Sequence, residues 1–210
     1  MKGIEDVYEV GIMMLLAFLS ALMNAYLPLK ETTLHFGLPG PAAGIAFFGG
    51  FTFVFWIFLA IEIIGRRLAA VVTALFTASF CMFLSPLWFG IASPPWFGAY
   101  GVLSLLSIAF FAELSTIPLH SGKSTSSEEC CVAGGFAERS KVCRSIFGGF
   151  GNLSCLVISW LIMGYHTSTW IPPLYAPIYS IFAFISGFVG ALLAHIVSPS
   201  CSYLLSRNVP

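Results

Sequence analysis

Charge is what this sequence has least of. Nine basic and nine acidic side chains are spread over 210 residues, 9% of the chain. Water-soluble domains carry roughly 25%, so an ordinary soluble core with a polar coat is excluded. The formal net charge is zero and no basic stripe is present, which excludes a nucleic-acid partner. No segment alternates apolar and polar residues at period two, as a membrane barrel would. No small-residue cleavage pattern follows the first apolar run, so that run is expected to be a span and not a signal peptide.

Apolar length is what the chain has instead. It is 58% hydrophobic, with a mean hydropathy of +0.93. A hydrocarbon layer about 30 Å thick needs roughly 20 residues of helix, and only helices or closed barrels satisfy the backbone there. The sequence therefore predicts an all-α integral membrane protein, a single bundle of six transmembrane helices. The spans are expected at about residues 8–27, 42–64, 68–84, 99–117, 145–164 and 175–197. Lys2, Arg66, Arg67, Lys123, Arg139, Lys141, Arg144 and Arg207 then share one side, and only Lys30 does not. The positive-inside bias makes that side cytoplasmic, with both termini inside.

The two sides differ in chemistry. The outer loops hold His35, Phe36, Trp88, Trp96, His166 and Trp170 among prolines. Proline stiffens such loops, and aromatics offer flat faces with polar tips. A ligand pocket and an interfacial aromatic belt both fit. The pocket is favoured because the cytoplasmic loops contain no Trp or Tyr. Loop 119–144 is polar and Ser-rich and is expected to be a flexible cytoplasmic linker. Its Gly122-Lys123-Ser124-Thr125 is no phosphate-binding loop, because Ile117 stands where the upstream glycine is required.

No cysteine lies in an outer loop, so an outer disulfide is excluded. Cys81 and Cys155 are expected to pack inside spans. Cys130, Cys131, Cys143 and Cys201 do not have zinc-site spacing, and no metal or cofactor is expected. Two carboxylates fall within spans and invite a functional question. Glu62 is expected to pair with Arg66 at i+4. Glu113 reaches water or pairs across helices, and His195 is expected at the interface. Small residues recur at intervals of four at Ala17, Ala21 and Ala25, at Ala70, Ala74 and Ala78, and at Ala183, Gly187 and Ala191. Such ladders let helices approach closely.

Taken with the length, the six spans, the first alanine ladder, Gly40-Pro41-Ala42-Ala43-Gly44, Tyr100-Gly101 and Phe111-Ala112-Glu113-Leu114, the chain resembles the substrate-binding S-component of energy-coupling factor (ECF) vitamin transporters. The long polar loop departs from the compact members. The resemblance implies a multi-pass protein of a prokaryotic cell membrane, not itself an enzyme. It implies capture of a small vitamin or precursor at the outer face and delivery inward with a transmembrane coupling protein and two cytoplasmic ATPases. Asn24, Glu31, His35, Phe36, Trp88, Trp96, Tyr100, His166, Trp170 and Tyr175 would form the pocket. Ala17, Ala21 and Ala25 would face the coupling protein. The metal-ion members carry an amino-terminal Met-His, where this chain has Met1-Lys2, so the resemblance favours an organic ligand of thiamin or pyrimidine type. A membrane enzyme acting on lipid, built on Glu62, Glu113 and His195, and a non-catalytic assembly subunit are the alternatives.

Overall fold

A computed structural model of the chain describes residues 2–26, 41–84, 98–116, 133–168, 170 and 173–207. Among the described residues there is no strand. Helix α1 is Lys2–Tyr26. Helix α2 has an α-helical part Pro41–Gly49, a π-helical turn Gly50–Val54 and a second α-helical part Phe55–Ile64. Helices α3 (Ala69–Leu84), α4 (Gly98–Leu114), α5 (Ala133–Thr167) and α6 (Ala176–Arg207) follow.

Four of these are long and apolar enough to cross a membrane, through Val7–Tyr26, Ala43–Ile64, Lys141–Ile162 and Ala176–Pro199. Helix α3 and the stretch Gly101–Leu114 of α4 are shorter. The 16 residues of α3 rise about 24 Å at 1.5 Å each, less than the ~30 Å of a hydrocarbon core.

Helices α5 and α6 run well past their apolar stretches. Hydropathy reports what dissolves in lipid, whereas Ala, Glu, Arg and Lys propagate a helix in water equally well. Residues 133–144 are accordingly helical, which corrects the expectation of a linker over 119–144; residues 117–132 lie outside the described ones. Pro199 lies inside α6 without ending it. Proline has no N–H to give the carbonyl of His195 one turn back. The Ser198 hydroxyl donates to that carbonyl instead, at 3.4 Å.

Helix α2 is the centre of the bundle. Its apolar window is 72% buried, against 33–39% for the other three long helices. Lipid supplies no hydrophobic force between helices, so close packing and polar contacts must hold them. Both appear at the π-helical turn. The Ser186 hydroxyl of α6 accepts from the Gly50 N–H at 3.0 Å and donates to the Phe47 carbonyl at 2.9 Å. On the other flank, the Ser20 hydroxyl of α1 donates to the Thr52 carbonyl at 2.5 Å. A π-helical turn leaves backbone groups without their usual partners, and two serines from two helices supply them. A Cβ at Gly50 would collide with the backbone of Ser186 and Gly187, so this contact requires glycine.

Asn152 of α5 joins the same centre. Its amide donates to the Ile45 carbonyl of α2 at 3.3 Å and the Ala183 carbonyl of α6 at 2.9 Å. Its own Oδ1 lies against Gly49. On α1, Met13, Leu16, Ala17, Ser20, Ala21, Asn24 and Ala25 form one buried face. That face meets α2 and α3, as the Ser20 bond and the Asn24–Cys81 contact show.

Candidate functional site

The helices alternate in direction, so the bundle has two ends, and the charged side chains select one of them. There Arg66, in the turn after α2, pairs with Glu9 of α1 at 2.9 Å. Glu62 of α2 pairs with Arg144 of α5 and accepts from His195 Nδ1 of α6 at 3.2 Å. Glu113 of α4 accepts the Ala70 N–H at 3.1 Å. That bond caps the start of α3 with a carboxylate, where the helix dipole favours negative charge.

These contacts revise two expectations. Arg66 does not pair with Glu62. Gly65 ends α2 in the left-handed conformation at φ 65°, donates to the Ile61 carbonyl, and breaks the helical spacing that an i+4 pair needs. His195 is not an interfacial side chain, since it is 3% exposed. Its Nε2 is buried without a partner among the described residues, and its ring meets Phe58 edge-on. Glu62 and His195 meet each other, whereas Glu113 accepts from the start of α3.

A cavity of about 350 Å³ opens at this end, lined by Ile61, Glu62, Gly65, Arg66, Arg67, Thr116 and Arg144. Its lining holds three arginines and one acidic residue. No sequence motif flagged it, because its arginines come from two segments far apart in the chain.

The opposite end is apolar and aromatic. Trp170 lies edge-on to Trp160 of α5 with ring centroids 6.3 Å apart, its ring pressed against Gly164, and it remains 55% exposed. Tyr175 stacks on Tyr179 of α6, with centroids 6.2 Å apart and rings within 23° of parallel. Tyr179 is buried and Tyr175 half-buried. Asn24 is buried, and its amide points at the Cys81 sulfur at 3.7 Å.

Of the ten expected pocket residues, Glu31, His35, Phe36, Trp88 and Trp96 lie outside the described residues. Tyr100 and His166 lie on α4 and α5, with side chains outside the description. Trp170 and Tyr175 each join an aromatic pair. Asn24 belongs to the α1–α3 contact. Trp160 and Tyr179 were not expected at this end; both sit inside apolar runs, where hydropathy gives no reason to single them out.

The expected partner ladder is a correction. Ala17 and Ala21 are 0% exposed and Ala25 is 8% exposed, so the ladder is consumed inside the bundle and offers no surface to another protein. The ladders of α3 and α6 are buried in the same way: Ala70, Ala74, Ala78, Ala183 and Ala191 are all core residues. Cys81 and Cys155 are buried free thiols, and Cys143 is an exposed one.

No family model matches the sequence, and neither a curated protein nor a solved structure is significantly similar to it.

Proposed function

We propose that the chain is a solute-binding subunit of a membrane importer, of the ECF S-component kind, that takes a small flat ligand at its aromatic end. The observation that carries this reading is the separation of the two ends. Trp170 on Trp160 and Tyr175 on Tyr179 place four aromatic rings at one end, while the described charges gather at the other. A pocket for a heteroaromatic molecule needs stacking faces and few charges. Six crossings, with α3 and α4 as the short ones, put both termini and the arginine-bearing end in the cytoplasm under the positive-inside bias. The energy for transport comes from ATPase partners, with a coupling subunit between. Contact with that subunit on α1 uses its exposed face, where Met14, Leu15 and Phe18 project, and not the buried alanines.

The test is purification in a mild neutral detergent and mass spectrometry of the small molecules that come with the protein. The expected result is a vitamin or precursor, with thiamin and its pyrimidine first in the panel to be added back. Trp170→Ala should weaken its binding about tenfold, the equivalent of roughly 1.4 kcal/mol. A protein that arrives empty and shows no thermal shift with any member of the panel would sink the proposal.

A further inference from the structure

We infer that the cavity at the charged end binds a phosphate group. Its volume of about 350 Å³ far exceeds the ~30 Å³ share of one water, so it admits a phosphate with part of its ester. Arg66, Arg67 and Arg144 line it together with Thr116. Two of the three guanidinium groups are balanced: Arg66 by Glu9 and Arg144 by Glu62. Glu62 also holds His195, on the same carboxylate oxygen. Arg67 has no ion-pair partner among the described residues. The cavity is therefore lined by one cation without an ion-pair partner among the described residues, Arg67, beside two paired ones. Guanidinium forks match the oxygen spacing of phosphate and bind it with paired hydrogen bonds.

The backbone supports the assignment. Gly65 and Leu68 both adopt the left-handed conformation, at φ 65° and 69°, and bracket Arg66 and Arg67. This double reversal makes the shortest turn between α2 and α3 and commits both arginines to it. Glycine takes that conformation freely, but leucine does so at a steric cost. Leu68 is 61% exposed, so its burial does not repay that cost. Retained backbone strain is a feature of ligand clamps.

Two sources present this chemistry: the headgroup of an anionic phospholipid, held where a basic pocket between helices meets the membrane surface, and a free phosphorylated solute. The simplest competing account is that the three arginines only complement the carbonyl ends of α2 and α4, and it predicts no ligand.

The full-length protein in neutral detergent is titrated with phosphatidylglycerol, with phosphatidylcholine, and separately with inorganic phosphate against chloride at equal ionic strength. The readouts are the thermal midpoint and native mass spectrometry. Phosphatidylglycerol is expected to raise the midpoint and remain bound while phosphatidylcholine does neither. A matching effect of inorganic phosphate identifies a free phosphorylated ligand in addition. Arg67→Gln should bind at least about tenfold more weakly, with Arg67→Lys, which keeps the charge but loses the fork, between the two. The midpoints of both variants without additive check that they fold. If neither probe acts on the wild type, or if Arg67→Gln binds as tightly as wild type, the inference is overturned. None of these outcomes depends on what binds at the aromatic end.

Discussion

Asn152 ties three helices at one point through a single side chain. Its amide donates to the Ile45 and Ala183 carbonyls, while its own Oδ1 is buried without a partner among the described residues. Removing the amide should then cost about 1–2 kcal/mol, the upper range for polar contacts between helices in membranes. Asn152→Ala is expected to lower the thermal midpoint in detergent while the helix content by circular dichroism stays the same; an unchanged midpoint would show that glycine packing alone holds the centre. Nothing local marks this residue in the sequence, where Gly148, Gly149 and Gly151 precede it and its partners lie 107 and 31 positions away. Glu62 is the opposite case. A carboxylate at the end of an apolar run is conspicuous, but its partner was misassigned, because i+4 reasoning presumes a helix that Gly65 in fact ends.

At the scale of the element, Glu62, Arg144 and His195 bind the ends of α2, α5 and α6 to one another. The pair is only partly buried, with side-chain exposures of 31% for Arg144 and 18% for Glu62. Breaking a fully buried pair costs about 3–5 kcal/mol, so Arg144→Met should cost less, about 2 kcal/mol. Most of that cost is a carboxylate left without its cation. The double variant Glu62→Gln/Arg144→Met should therefore be more stable than the two single losses add up to, a coupling that a double-mutant cycle measures directly. Additive losses would mean that the two residues act independently. The helices themselves were largely legible, since an apolar run in lipid has no other stable form. Their ends were not. Helix α5 begins a dozen residues before the apolar stretch expected to define it, and α6 runs through Pro199, because water-exposed turns and a serine hydroxyl can extend a helix that hydropathy would stop.

At the scale of the whole molecule, the sorting of charge makes a prediction about orientation. Cys143 is exposed on α5, one residue from Arg144. In a variant that keeps Cys143 and replaces the other five cysteines by serine, an impermeant maleimide should label inverted membrane vesicles and leave intact cells unlabelled. Labelling of intact cells would reverse the proposed orientation. The sequence by itself determined the all-helical class and the apolar stretches, because both depend only on composition along a local run. It also showed the alanine ladders, but not what they face. Only the tertiary structure decided that Ala17, Ala21 and Ala25 are spent on α2 and α3, that Glu62 belongs to Arg144 and His195, and that arginines from two distant segments share one cavity. Those outcomes depend on which helix lies beside which, and that is set by close contacts such as Gly50 on Ser186, between residues far apart in the chain.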